Sequence, residues 1–490
     1  MSKPFVHIQN LSVQYGQKTV LKDLEWIYST GSQWAIGGKS GSGKSTLAKA
    51  IAGQVSYQGS IDLNTPERKV LYVPSWYQFT NLEGDRNFYY QQRYNTQQRK
   101  DTQTVKSDLA NFAKDANLLL EDSLPLMEAL GLTDQLNAQL IALSSGEHKK
   151  MQLVKAFWQR PAMLVIDEPY TGLDKATRSA LNDCFNDLSD KGTHLILLTN
   201  DTNLPQCINA FAVIENGQLK QVESPLHFTP AEVREAKNLP EFLKEEPTLS
   251  SSEIVRLKDV NVRYGDKTVL SDISWQIDRG ERWVVQGHNG SGKSTLLSLI
   301  NADHPQAYGY DIRLFGNQRG SGESIWDIKQ KIGLISPEMH WYFDQTATVW
   351  ETVASGLRDS IGLFSDISYR EKQQVNELLD FFELTEVKND LLQTLALGKQ
   401  RLAMLARTII KNPPLLVLDE PCQGLDQSQT QYFNDVVDEL CQYGKTLLYV
   451  GHYESQLPKS IDHRLLLEKG HIVFNGAIKS VKETTVEQEA

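Results

Sequence analysis

Two octets of the 490-residue chain share the spacing G-x-x-x-x-G-K-S: Gly38-Lys39-Ser40-Gly41-Ser42-Gly43-Lys44-Ser45 and Gly287-His288-Asn289-Gly290-Ser291-Gly292-Lys293-Ser294. In such a loop the glycines let backbone N–H groups point inward at phosphate. The lysine neutralises β- and γ-phosphate oxygens, and the serine hydroxyl ligates Mg²⁺. Each loop follows an apolar run (Trp34-Ala35-Ile36; Trp283-Val284-Val285) and should open a helix, whose N-terminal dipole also favours anions. Gly38, Ser40, Gly41, Gly43, Lys44, Ser45 and Thr46 are thus candidate nucleotide ligands, as are Gly287, Asn289, Gly290, Gly292, Lys293, Ser294 and Thr295.

The elements around these loops repeat in register. From Lys44 to Lys293 is 249 residues, and from Gly146 to Gly398 and from Glu168 to Glu420 is 252. Val165-Ile166-Asp167-Glu168-Pro169 and Val417-Leu418-Asp419-Glu420-Pro421 read as buried strands ending in two carboxylates. That places the acids at the C-terminal edge of a parallel sheet, where nucleotides bind. Asp167 and Asp419 suit Mg²⁺; Glu168 and Glu420 suit polarising the attacking water.

Leu143-Ser144-Ser145-Gly146-Glu147, upstream of the first acidic pair, resembles the signature sequence of ABC ATPases. Leu395-Ala396-Leu397-Gly398-Lys399 holds the same place in the second half, and Gly172-Leu173-Asp174 and Gly424-Leu425-Asp426 resemble the D-loops. Tyr15 and Tyr264 stand where the family places an aromatic ring that stacks on adenine. The resemblance covers essentially the whole chain. It implies an α/β fold of two P-loop domains in tandem, each a RecA-like core with an antiparallel β subdomain and a helical signature subdomain, working on ATP and Mg²⁺. The expected limits are a first domain over 1–228, an acidic linker over 229–253, a second domain over 254–480 and a polar tail over 481–490. More narrowly, His304 to Tyr308, Leu314 to Gly316 and Arg319 to Ile328 resemble the ModF-type tandem ATPases associated with molybdate-transport operons.

In this family two such halves face each other, each ATP lying between one half's P-loop and the other half's signature. The resemblance therefore implies unequal sites. ATP on Lys293, Ser294, Asp419 and Glu420 would meet Ser144 and Gly146 and would have His452, the switch histidine. ATP on Lys44, Ser45, Asp167 and Glu168 would meet Ala396, Leu397 and Gly398, with Asn200 in the histidine's place. A hydrogen bond to a charged phosphate is worth about 1.5–3 kcal/mol, so the second P-loop site is expected to be the main hydrolytic one.

Both halves depart from the family where a glutamine links Mg²⁺ to a transporter contact. Ser75 follows Val73-Pro74, and Pro337-Glu338 follows Ser336; Gln78 and Glu338 are nearby substitutes between which the sequence does not choose. Trp76-Tyr77 and Trp341-Tyr342 lie where family members receive a permease's coupling helix, as exposed anchors or as packing within the helical subdomain.

With 40% hydrophobic and 23% charged residues the composition is that of a globular protein of two large domains. No apolar run approaches the ~18 residues that span a membrane, and Met1 to Phe5 has no secretory pattern. The expected location is cytoplasmic, with possible peripheral attachment to the inner membrane face; a transport role would need a separate integral membrane permease. Four cysteines without C-x-x-C spacing (Cys184, Cys207, Cys422, Cys441) suggest buried small hydrophobes rather than a zinc site or disulfides. A net charge of −11 argues against a nucleic-acid or ribosome footprint. The join between the halves is short and acidic, unlike the long basic linker of ribosome-directed tandem ABC proteins. A mixed aromatic and basic stretch from Phe88 to Lys100 leaves RNA contact as a minor alternative to a solvated helical face.

Overall fold

A computed structural model describes residues 5–16, 18–64, 70–75, 103–225, 238–246, 249, 251–264, 267–337, 339, 343–344, 346–363, 365–451 and 454–478. Of the sequence motifs above, Trp76, Tyr77, Gln78, the stretch from Phe88 to Lys100, Glu338, Trp341, Tyr342 and His452 lie outside these residues. The chain forms two compact units.

In the first unit the strands Val6–Tyr15, Lys18–Tyr28 and Gln58–Leu63 form an antiparallel sheet with Val6–Tyr15 in the middle. A second sheet runs in the order Val70–Val73, Met163–Asp167, His194–Leu198, Trp34–Gly37, Ala210–Glu215, Gln218–Val222, parallel except for its last pair. Met163-Leu164-Val165-Ile166 is buried throughout because a parallel sheet covered on both faces has no wet side. Asp167 and Ile36 both lie in register with Leu198, so the acidic strand and the P-loop strand end at one edge.

The second unit repeats this plan. Its antiparallel sheet runs in the order Lys267–Asp278, Glu253–Tyr264, Asp311–Leu314, Asn317–Gln318. Its larger sheet runs Ile332–Ile335, Leu415–Asp419, Thr446–Val450, Arg282–Gln286, His463–Glu468, His471–Ala477. Asp419 and Val285 are both in register with Val450.

Each unit joins its two sheets through the same tryptophan pair. The ring centroids of Trp26 and Trp34 are 5.3 Å apart and nearly perpendicular, as are those of Trp275 and Trp283 at 5.3 Å. All four rings are buried, one from the antiparallel sheet and one from the P-loop strand in each pair. Edge-on aromatic packing of this kind adds about 0.5–1.5 kcal/mol to the burial itself, and it holds the P-loop strand beneath the antiparallel sheet.

The helices around the signatures include Val105–Ala116, Leu124–Ala129 and Ser145–Trp158 in the first unit, and Val349–Ser355, Tyr369–Phe381 and Leu397–Ile409 in the second. Within residues 229–253, Glu241–Lys244 is a helical turn with Leu243 buried, and Arg279 donates to Glu246 at 2.9 Å. Cys422 and Cys441 are buried, as expected of small hydrophobes, whereas Cys184 and Cys207 are half-buried. Among the described residues, no helix is long and apolar enough to cross a membrane.

Candidate nucleotide site

Each P-loop begins with a glycine that no other residue could replace. Gly38 has φ 135°, and a Cβ there would sit 2.6 Å from the Ile214 carbonyl oxygen; at Gly287, with φ 152°, it would sit 2.3 Å from that of Leu467. The strand beside the P-loop strand is too close for any side chain. Helices Lys44–Ile51 and Lys293–Ile300 then start on Gly43 and Gly292, both left-handed, so their first N–H groups face the loop. The lysine ammonium crosses the loop in both units: Lys44 Nζ donates to the carbonyls of Gly38 and Lys39, Lys293 Nζ to those of Gly287 and His288.

Ser45 and Asp167, predicted as Mg²⁺ ligands, are brought together, with the Ser45 hydroxyl donating to Asp167 Oδ2 at 2.5 Å. Two hard oxygen donors converging beside a phosphate loop fit Mg²⁺, which takes few protein ligands and completes its shell with phosphate and water. Tyr72, which sequence reasoning missed, donates its hydroxyl to the same Oδ2 at 3.2 Å. Burial, with the Asp167 charge, raises the Tyr72 pKa and keeps the phenol protonated. Leu334 takes the corresponding place before Ile335 in the second unit and has no hydroxyl.

The second carboxylates share an unusual backbone. Glu168 has φ 46° and Glu420 φ 45°, the left-handed region that costs a side-chain-bearing residue energy. Each is held there by its own N–H, which donates to Leu198 O at 2.9 Å or Val450 O at 3.1 Å. The turn aims the side chain off the strand end. Burial, partly offset by Lys44, pushes the Glu168 carboxyl up to about 7, the range in which a carboxylate serves as a base near neutrality. Glu420 Oε2 accepts from the Gln423 amide at 3.0 Å.

Behind the first acidic pair lies Lys149, also missed from the sequence. Its buried ammonium donates to the carbonyl oxygens of Pro74 (3.0 Å), Ser75 (3.2 Å) and Asp167 (3.3 Å). Burial, opposed by Asp167 and Glu168, pushes it down to about 8. One side chain thus ties the signature helix to the strand end where the glutamine is missing and to the acidic strand. Arg401 occupies the same register in the second unit, 1% exposed, with burial pushing its pKa down to about 10 against the charges of Cys422 and Glu420.

The two signatures differ as helix starts. Ser144 caps Ser145–Trp158 in a full capping box: its hydroxyl accepts from Glu147 N at 3.3 Å and donates to Glu147 Oε2 at 2.8 Å, while Ser144 N donates to the same oxygen at 2.8 Å. Ala396 caps Leu397–Ile409 with no side-chain bond, and Lys399 replaces the glutamate. The signal for this difference was in the sequence, as Ser144 against Ala396. Gly146 and Gly398 lie in the first turn of their helices.

The aromatic residues differ as well. Tyr15 is 48% exposed, whereas Tyr264 is half-buried and hydrogen-bonded to His304. Asn200, expected in the histidine's place, faces the P-loop and pairs with Gly38.

A P-loop, an acidic strand end and a capped signature helix on this sheet order define an ATP-binding cassette, and the ABC transporter family model matches residues 21–171 and 270–423. The chain belongs to that family as a tandem ABC protein that binds and hydrolyses ATP. It is similar to the ABC transporter ATP-binding protein ModF of Escherichia coli (strain K12), 35% identical over 89% of this chain and 91% of that one. It is also similar to uncharacterized ABC transporter ATP-binding proteins of Schizosaccharomyces pombe (28% identical; 96% and 99% of the two chains) and Saccharomyces cerevisiae (26%; 70% and 72%).

Proposed function

We propose that the two halves of one chain clamp on two Mg-ATP, that hydrolysis occurs chiefly at the second P-loop, and that the cycle energises a separate membrane permease. The observation that carries the asymmetry is the complete capping box on Ser144 in one signature against Ala396 in the other. In this reading Lys293, Ser294, Asp419, Glu420 and His452 work with Ser144 and Gly146, while the site of Lys44, Ser45, Asp167 and Glu168 mainly holds its nucleotide. Tyr15 and Tyr264 stack on the adenines. Ser45 with Asp167, and Ser294 with Asp419, hold Mg²⁺. The likeness to ModF supports transport, with molybdate or a related oxyanion as the candidate cargo.

A second reading, a regulatory or mechanical ATPase without a pore, is favoured by Ser75 and Pro337 at the positions of the transporter-coupling glutamines. The acidic linker counts against a ribosomal version of it. Affinity purification of Glu420→Gln from its own cells in the presence of ATP separates the two, because blocked hydrolysis holds the closed state. Stoichiometric recovery of an integral membrane protein supports transport. Recovery of a soluble partner or ribosomes without one overturns it.

A further inference from the structure

In the second unit a clamp holds the tyrosine read above as the adenine platform. Tyr264 ends the strand Glu253–Tyr264, and its hydroxyl is 2.8 Å from Nε2 of His304. His304 is 1% exposed, and its Nδ1 accepts from Gln306 N at 3.2 Å. With Nδ1 accepting, the ring proton of a neutral imidazole is on Nε2, which donates to the phenol oxygen. Gln306 grips the preceding residue: its Oε1 accepts from Arg263 N at 3.3 Å and its Nε2 donates to Arg263 O at 2.7 Å. Pro305, at the start of the short 3-10 helix Pro305–Gly309, fixes the backbone between the two gripping residues.

Three hydrogen bonds from one tripeptide thus hold both the backbone before Tyr264 and its ring. In the first unit Val55 stands eleven residues after Lys44, as His304 stands eleven after Lys293, and it has no group to hydrogen-bond Tyr15.

We propose that His304 and Gln306 are positioning residues that hold the Tyr264 ring ready for adenine, so that the second site stacks on the base with a ring fixed in advance. This rests on the reading of Tyr264 as the adenine platform. A ring already ordered before binding gives up less freedom on stacking, which raises affinity without any new contact to the ligand.

The test uses the full chain with Lys44→Ala to silence the first P-loop and Glu420→Gln to stop turnover, and isothermal titration with Mg-ATP and with Mg-tripolyphosphate. His304→Val should weaken ATP about threefold to tenfold, the range of one hydrogen bond, and leave tripolyphosphate unchanged. His304→Gln, whose amide can donate to the phenol, should recover most of the loss. Tyr264→Phe keeps the ring and removes its anchor, so it should match His304→Val, and combining the two should add nothing. Unchanged ATP binding in His304→Val while Tyr264→Ala binds more weakly overturns the clamp and leaves the adenine platform standing. Equal losses of ATP and tripolyphosphate overturn it too, because the clamp would then serve only the fold. Unchanged ATP binding in Tyr264→Ala overturns the adenine reading and the proposal with it.

Discussion

Asn200 and Gly38 bond each other twice: Gly38 N–H donates to Asn200 Oδ1 at 2.9 Å, and Asn200 Nδ2 donates back to Gly38 O at 3.0 Å. Gly38 O also accepts from Lys44, so one carbonyl gathers the end of the strand His194–Leu198 and the P-loop lysine. The residue in the switch position is here a brace on the loop's first turn. Asn200→Ala should lower the unfolding free energy of the first unit by about 1–3 kcal/mol, the cost of leaving the buried Gly38 N–H without its acceptor. Chemical denaturation should show that loss, with steady-state ATP turnover little changed.

Turnover itself should divide between the two glutamates. Glu420→Gln is expected to remove most of the steady-state ATPase activity, and Glu168→Gln to leave most of it. The reverse result would place hydrolysis at the first P-loop.

Restoring the hydroxyl at the second signature should act on structure and activity together. Ala396→Ser supplies an N-cap to Leu397–Ile409, worth about 0.5–2 kcal/mol. In a Glu420→Gln background it should also raise the residual turnover of the first site. Stabilisation without any gain in turnover would mean that the missing hydroxyl is not what limits that site.

Lys149 should be sensitive to the loss of charge more than to a change of shape. Lys149→Met leaves the carbonyls of Pro74, Ser75 and Asp167 without their shared donor. A loss of about 1–3 kcal/mol is expected, seen as a fall of several degrees in the melting of the first unit, and Lys149→Arg should be milder.

Glu371 gives a pH signature away from the nucleotide. Its carboxylate accepts from Arg358 Nη1 at 2.8 Å and from Ser368 N at 2.6 Å, capping Tyr369–Phe381, and these bonds hold its pKa down to about 2. A carboxyl depressed in the folded state contributes stability above its unfolded pKa, ordinarily near 4.5, and loses it as pH falls towards 2. Glu371→Gln should therefore destabilise at neutral pH and flatten the acid limb of the stability curve. An acid limb identical to that of the parent chain would refute the assignment.

The P-loops, the acidic pairs, the unequal signatures and the tandem repeat could all be read from the sequence, because each depends on residue types at short spacing or on a constant offset. Gly38 and Gly287 are legible from the loop spacing, although the close approach of Ile214 and Leu467 that forbids a side chain there comes from the neighbouring strand, and Asp167 is legible from its place at the end of an apolar run. What spacing does not carry is which distant side chains meet. Lys149 looks like one more charge in a helical signature, yet folding brings it under Pro74, Ser75 and Asp167, far apart in sequence. His304 could be noticed as part of a motif, but only the packing of the segment after the P-loop helix against the strand Glu253–Tyr264 turns it into the partner of Tyr264. Tyr72 gains its role because Val70–Val73 is the neighbour of Met163–Asp167. The chemistry was written locally; its supports depend on strand order and helix packing, which bring distant residues within hydrogen-bond range.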